Sequence, residues 1–317
     1  MPWEGIGPGQ KVRTKIDDRV LTLTNLDKVL YPDVGFTKAQ MLDYYTRIAP
    51  VLLPHVKGRP VSFKRYPNGV HEEGFFAKNA PRGTPKWVRT IELPAPGSTH
   101  EGRETVNYVV IDDLPTLIWA ANLAAIELHV PQWRVGPRGG VRKPDLLVFD
   151  LDPGAPATIV ECCRVACLLR ELLREDGLQA WAKTSGKKGL QLYVPINETS
   201  DERTSGYAKE LARRLARAHP DLVVYHMRKT LRPGKVLVDW SQNNAAKTTV
   251  APYSLRATNA PTVSTPVTWD EVESCRSPAD LRFESADVLG RVDEFGDLME
   301  PLLTTRQRFP RVASSAA

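Results

Sequence analysis

The sequence predicts an α+β protein, on three observations. Apolar residues recur at helical spacing over 38–52, 157–176 and 201–218. Between these stretches lie short runs rich in branched and aromatic residues, bounded by Gly and Pro, that read as strands. Two of those runs, at 146–152 and 236–240, are apolar and yet close on aspartates.

The length of 317 residues suits one large domain or two small ones, and no internal repeat or low-complexity linker divides the chain. The expected organisation is a flexible Gly- and Pro-rich arm over 1–14, a single domain over 15–303, and a frayed tail over 304–317. Hydrophobic content of 42% with 25% charged residues is ordinary for a globular protein. The net charge of +6 and pI near 9.1 favour a polyanionic partner, nucleic acid before a membrane surface. Cys162, Cys163 and Cys167 crowd one predicted helix and Cys275 lies far away, which gives neither a disulfide framework nor a C-x-x-C zinc spacing. They read as small core residues in a reduced, cytoplasmic setting. The most apolar long stretch, 118–130, is interrupted by Asn122, Glu127 and His129, so no membrane span is expected; the N-terminus lacks the pattern of a signal peptide.

In chain order, Thr37 with Gln40 three residues on forms a capping box for a helix that buries Leu42, Tyr45, Ile48 and Leu52 and stops at Pro54. Lys38 sits in the first turn of that helix, where the dipole favours anions, and Lys28 lies just upstream. The two fit a phosphate site, and they equally fit a pair of solvated lysines. A strand over 61–66 carries Lys64 and Arg65. Phe75 and Phe76 follow near Lys78, and an exposed aromatic there would stack on bases in a basic groove, whereas two buried ones would be core. A strand is expected over 104–111, then a helix over 116–127 that delivers His129 ahead of Pro131-Gln132-Trp133. A lone histidine after a helix is ordinarily structural.

The 146–152 strand places Asp150 and Asp152 at i and i+2, hence on one face. Adjacent carboxylates repel, and a hard divalent cation, Mg²⁺ or Mn²⁺, relieves the repulsion. A turn start with a lysine partner is the alternative. After the helix at 157–176, strands at 178–184 and 190–195 flank Ser185-Gly186-Lys187-Lys188-Gly189, whose backbone N–H groups, hydroxyl and ammonium groups suit a phosphate chain or a plain hairpin turn. A helix with a basic outer face covers 201–218. Strands at 222–227 and 236–240 enclose a basic loop bearing Lys229 and Arg232, and Asp239 supplies a third carboxylate at a strand end, the number that two-metal phosphoryl transfer needs. Gln242, Lys247 and Arg256 follow in a polar stretch, and helices are expected over 270–303.

Taken together, DLLVFDLDPG, TSGKKGLQLYVP, KVLVDWSQNNAAKTTVAPYSLRA, ELHVPQW and GFFAKNAP resemble the polymerase module of bacterial ligase D, within the archaeo-eukaryotic primase superfamily. The resemblance runs from about Val20 to Arg291. It implies a primase-polymerase fold of two mixed or antiparallel sheets with flanking helices around a central cleft. It also implies templated addition of nucleotides, ribonucleotides preferred over deoxynucleotides, to a primer 3′-OH at DNA gaps or 5′-phosphorylated broken ends. The partners so implied are DNA, nucleoside triphosphates, a separate DNA ligase and an end-binding protein, near a bacterial nucleoid and with no membrane. By matching position, Asp150, Asp152 and Asp239 would hold two Mn²⁺ (or Mg²⁺) ions. His129, Ser185, Gly186, Lys188, Gln191, Gln242, Lys247 and Arg256 would hold the nucleotide. Lys28 and Lys38 would grip the DNA 5′-phosphate, Phe75 and Phe76 stack on the template, and Lys64, Arg65, Lys78, Lys229 and Arg232 touch DNA. One departure stands out: the family pattern S-G-x-x-G-x-H ends here in Gln191, which donates hydrogen bonds but cannot become cationic. The rivals to templated extension are priming, metal-dependent nuclease chemistry on the same carboxylates, and binding of DNA ends without catalysis.

Overall fold

The computed structural model describes residues 9–94 and 105–310. Strands β1 (Lys11–Ile16) and β2 (Arg19–Thr24) open it as an antiparallel hairpin. β1 therefore occupies part of the expected flexible arm. Leu21 and Leu23 of β2 insert into the core and take the hairpin with them, while residues 1–8 lie outside the described residues. After the short pair β3 (Val29–Tyr31) and β4 (Phe36–Thr37) comes helix α1 (Lys38–Val56). Its capping box forms as expected: the Gln40 amide N–H donates to the Thr37 hydroxyl at 3.3 Å, and the Thr37 amide N–H donates to the Gln40 side chain at 2.7 Å. The helix runs two residues past Pro54, its expected stop. Burial of Val56 and of His55, whose Nε2 lies 2.8 Å from Asp297, outweighs the backbone hydrogen bond that a proline removes.

Next come β5 (Pro60–Arg65), β6 (Phe75–Ala77), β7 (Thr90–Pro94), β8 (Thr105–Val110), helix α2 (Leu114–Asn122) and β9 (Ala125–Val130). Here the structure corrects the expectation of a helix through Glu127. α2 ends at Asn122, Ala124 turns the chain in the left-handed region at φ 57°, and Glu127 and His129 belong to a strand. β9 is buried between β5 and β15; its Ile126, Leu128 and Val130 alternate with Glu127 and His129, but the apolar residues of α2 that run straight into it hide where the helix stops.

The remainder comprises β10 (Leu146–Pro153), α3 (Ile159–Glu175), β11 (Trp181–Thr184), β12 (Leu190–Pro195), α4 (Asp201–Ala218), β13 (Val223–Val224), β14 (Val236–Asp239), β15 (Thr249–Val250), β16 (Pro266–Val267), α5 (Trp269–Ser274), α6 (Ser285–Phe295) and α7 (Pro301–Thr304). The expected tail over 304–317 is docked as far as it is described. Gln307 exchanges hydrogen bonds with the Gln179 backbone at 2.7 and 2.8 Å, and Phe309 is buried with its ring edge-on to Tyr207. Residues 311–317 lie outside the described residues. All four cysteines are free thiols, Cys162, Cys163 and Cys275 in the core. No helix among the described residues is long and apolar enough to cross a membrane.

Two sheets carry the fold, ordered β13-β14-β10-β12-β11-β16 and β15-β9-β5-β8-β7, with β6 added to β5. Leu147, Phe149 and Leu151 of β10 pack with Val165 and Leu169 of α3 and Leu211 of α4, while Phe63 and Leu128 of the second sheet pack with Tyr45 and Leu52 of α1 and Leu117 of α2. Each such side chain contributes about 1.5–3 kcal/mol on burial. With the odd-numbered residues of β10 fixed in that core, the strand's two-residue period turns Asp150 and Asp152 to the opposite face. That face lines a cleft to which β9 and β15 of the second sheet also contribute.

Candidate active site

The cleft has a volume of about 320 Å³ and takes in Asp150, Asp152 and Asp239. Asp150 lies directly across the ladder from Asp239. Each carboxylate is engaged by its surroundings. Asp150 Oδ1 accepts from Gln191 Nε2 at 3.0 Å, and Asp152 Oδ2 lies 3.5 Å from Arg232 Nη1. Asp239 accepts from the Ser241 amide and hydroxyl at 2.9 and 2.6 Å and from Gln242 Nε2 at 2.9 Å. Burial pushes the Asp150 carboxyl up to about 6. The Gln191 hydrogen bond and Lys183 oppose the rise, and the charges of Asp239 and Asp152 add to it. A raised carboxyl between two other carboxylates is the electrostatic condition that a hard cation relieves. The donor set, three carboxylates in one cleft, therefore fits divalent ions. Among the described residues no three acidic, His or Cys side chains stand already gathered as a metal cage.

Opposite the aspartates the cleft is cationic. The β11–β12 hairpin closes through the Ser185 amide donating to Gly189 O at 2.8 Å, and the Ser185 hydroxyl accepts from the Gly189 amide at 3.0 Å. Gly186 has φ 71°, and a Cβ there would lie 2.7 Å from the Val263 backbone, so the turn demands glycine. Arg256 is buried and donates to Ser185 O at 2.6 Å. Lys188 projects into the open, 3.9 Å from Asp152.

Glu127, which the sequence reading passed over, is the hub of this wall. It is 1% exposed, and its carboxylate contacts His129 Nε2 at 2.9 Å, Lys187 Nζ at 3.1 Å, Arg256 Nε at 3.5 Å and the Ala257 amide at 3.0 Å. Burial alone would push Glu127 up, but the His129 hydrogen bond and the charges of Arg256, His129 and Lys187 outweigh it and hold the carboxyl well below the usual range. Burial lowers His129, with Glu127 opposing. A carboxylate in a central strand flanked by His129 was the available signal.

Of the expected nucleotide residues, His129, Ser185, Lys188, Gln191, Gln242 and Arg256 line the cleft; Gly186 shapes its edge, and the exposed Lys247 is not part of its lining. Gln191 and Gln242 direct their amides to aspartates rather than to open space. The basic loop contributes Arg232, held against Gly154, where a Cβ would lie 2.2 Å from Arg232 O; Lys229 is exposed and outside the cleft lining.

A second cationic site lies on the α1 side. Lys38 is 4% exposed, contrary to a solvated lysine, and donates from Nζ to Thr24 O at 2.6 Å. Burial, then the charges of Lys28 and Arg65, lower its ammonium to about 8. Lys28 donates to Asn68 at 3.1 Å. Lys28 and Arg65 thus bear on the buried Lys38, a grouping of three cations that would suit an anion, and Arg65 joins the two expected lysines. Phe75 and Phe76 are both exposed, at 47% and 56%, which excludes the alternative of two core aromatics. The Arg65 guanidinium lies 5.3 Å from the Phe75 ring and Lys64 Nζ 5.6 Å from that of Phe76, while Phe76 meets His129 edge-on at 5.3 Å. The aromatic pair thus spans from the anion site to the cleft. Lys78 is exposed and lines a separate groove of about 760 Å³.

The family model described as LigD, primase-polymerase domain, matches residues 37–299. The chain is 47% identical to the multifunctional non-homologous end joining protein LigD of Mycolicibacterium smegmatis, over 88% of the chain and 36% of that protein. It is 32% identical to the bifunctional non-homologous end joining protein LigD of Bacillus subtilis, over 87% of the chain and 43% of that protein. The chain spans about two fifths of the length of these curated relatives. Among solved structures it matches the polymerase domain from Mycobacterium tuberculosis ligase D in complex with DNA, with a TM-score of 0.83 and 43% identity, over 90% of the chain and 98% of that domain. The α+β primase-polymerase fold expected from the motifs is borne out.

Proposed function

The chain belongs to the LigD primase-polymerase family, and from that premise we propose that it extends a primer 3′-OH with nucleotides, ribonucleotides preferred, at DNA gaps and 5′-phosphorylated ends. The single observation that carries this reading is spatial. One cleft pairs three carboxylates with the cations Arg256, Lys187 and Lys188, while a separate anion site at Lys38, Lys28 and Arg65 lies beyond the exposed Phe75–Phe76 pair. A nuclease on the same carboxylates has no use for a cationic wall suited to a triphosphate, and a primase has none for a second phosphate site. The span over 15–303, with β1 and the docked residues to 310, acts as one catalytic domain.

Asp150, Asp152 and Asp239 would hold two divalent ions, Mn²⁺ or Mg²⁺, which when bound lower the pKa of the 3′-OH and steady the leaving pyrophosphate. Arg256, Lys187 and Lys188 bind the triphosphate and offset charge as it moves onto the leaving group. Glu127 keeps Arg256, Lys187 and His129 in place for it. Lys28, Lys38 and Arg65 take the 5′-phosphate across the gap, and Phe75 and Phe76 stack on template bases. The product carries a nick, so a ligase must act next, and an end-binding protein would deliver broken ends. The test is extension of labelled primer on gapped DNA with Mn²⁺, with and without a 5′-phosphate, comparing ribo- with deoxynucleotides. Lengthening that depends on the 5′-phosphate and is lost in Asp239→Ala is expected. Shortening of the primer, or unchanged extension by Asp239→Ala, would remove the assignment.

A further inference from the structure

Four residues stand side by side in one row across the first sheet. Lys183 of β11 pairs with Gln191 of β12, Gln191 with Asp150 of β10, and Asp150 with Asp239 of β14. Because directly opposed residues of neighbouring strands point to the same face, the row forms a continuous line that begins in the core and ends at the cleft.

The inner end of the line is fully enclosed. Lys183 is 0% exposed and pairs with no carboxylate among the described residues; its Nζ donates to Gln191 Oε1 and to Ser264 Oγ. Ser264 Oγ gives its own hydrogen to Thr184 O at 2.9 Å and is left to accept. The lysine nitrogen has hydrogens enough for both acceptors in either charge state. Gln191 is itself 4% exposed, and Tyr193 Oη also approaches its Oε1 at 3.4 Å. With Oε1 held from behind by these donors, the amide has one orientation open to it, and Nε2 must face Asp150, where it meets Oδ1 at 3.0 Å.

We propose that Gln191 is a positioning residue for Asp150, locked by Lys183, and not a contact to the nucleotide. It holds one carboxylate oxygen so that the other faces the cleft, and thereby sets how tightly the aspartates take a divalent ion. Hydrogen-bonded partners behind a ligand typically change metal affinity by about 10–100-fold when removed. The inference rests on the reading of the aspartates as metal ligands, and Gln191→Leu tests it without altering any charge.

Mn²⁺ titrations of the full chain, followed by the electron paramagnetic resonance of the free ion, measure the affinity directly, and nucleotide KM is then measured at saturating Mn²⁺. Gln191→Leu is expected to bind Mn²⁺ about tenfold more weakly or worse. Its extension activity is expected to return when Mn²⁺ is raised in proportion, with nucleotide KM at saturation close to that of the unaltered protein. An unchanged Mn²⁺ affinity together with a raised nucleotide KM overturns the inference and restores Gln191 as a nucleotide contact. Failure of excess Mn²⁺ to rescue also overturns it, since a disrupted site does not respond to mass action. Should the unaltered protein bind no Mn²⁺, the reading of the aspartates fails and this inference with it. Gln191→Met, which fills the same volume with a flexible chain, replaces the leucine variant if thermal melts show that variant unfolded.

Discussion

Replacing Asp150 by asparagine should make the metal-free protein more stable while abolishing its chemistry. The folded protein holds the Asp150 carboxyl at about 6 against an ordinary value of 3.8, through burial and the neighbouring carboxylates. Two pH units correspond to about 3 kcal/mol at 1.36 kcal/mol each. The side chain is partly open to the cleft, and solvent there trims the penalty to about 1–3 kcal/mol. The sign follows from linkage. A carboxyl raised on folding favours the folded state while protonated, so its contribution is fully present below pH 3.8 and is lost as pH rises through about 6. At pH 7.5 the unaltered protein carries the penalty. The asparagine variant would not, and its side-chain carbonyl could still accept from Gln191. Thermal melts in EDTA should place Asp150→Asn above the unaltered protein by about 2–10 °C at pH 7.5, with the gap closing as pH falls from 6 to 4. Mn²⁺ should raise the melting temperature of the unaltered protein and leave the variant's unmoved. A variant no more stable than the unaltered protein at pH 7.5, or a gain that persists at pH 4, refutes the reasoning.

Three further outcomes are expected. Glu127→Gln leaves Arg256 and Lys187 without their shared anion and should cost about 2–4 kcal/mol; nucleoside triphosphate should raise its melting temperature by more than it raises that of the unaltered protein, and equal melting temperatures without nucleotide would sink the hub role. Phe76→Ala removes an exposed ring, so melts should not change, while fluorescence anisotropy on gapped DNA should show affinity falling about tenfold or more. Lys11, Arg13 and Lys15 share the exposed face of β1, whose first residue pairs with Thr24, the residue that holds Lys38; replacing all three by Gln should flatten the dependence of log affinity on log salt by about 2–3 units on DNA with a duplex beyond the gap, and an unchanged slope would exclude that face from contact with DNA phosphates.

The parts of the fold legible in the sequence are those set by local chemistry. The Thr37–Gln40 box starts α1 where the spacing places it, and the run closed by Pro153-Gly154 is the strand that carries two aspartates. The stretch over 118–130 misleads because an apolar helix end runs without a break into a strand whose alternation is only five residues long. The boundary between the two is a left-handed alanine that no propensity marks. Glu127 is lost with that boundary: at a helix end a glutamate is unremarkable, whereas in a central strand an acid that is 1% exposed must have partners.

The site was legible as a set of residue types and illegible as a register. Sequence spacing puts Asp150 and Asp152 on one face, since both belong to one strand. It cannot say that Asp239 falls opposite Asp150 rather than two places along, because that depends on how β14 slides against β10. The same holds for Gln191. Read along the chain it occupies a phosphate motif; read across the sheet it lies between a buried lysine and a candidate metal ligand, with both ends of its amide engaged. A one-residue slip of β12 would turn Gln191 into the core packed by α3 and bring Leu190 or Leu192 to Asp150, leaving the aspartate without its amide donor and the buried Lys183 with Ser264 alone. Those penalties, at about 1–3 kcal/mol for each unsatisfied polar group, help fix the register of the strand as well as the geometry of the cleft. The polar row thus serves folding and site assembly at once, which is why a substitution at Gln191 has to be read through metal affinity and rescue rather than through activity alone.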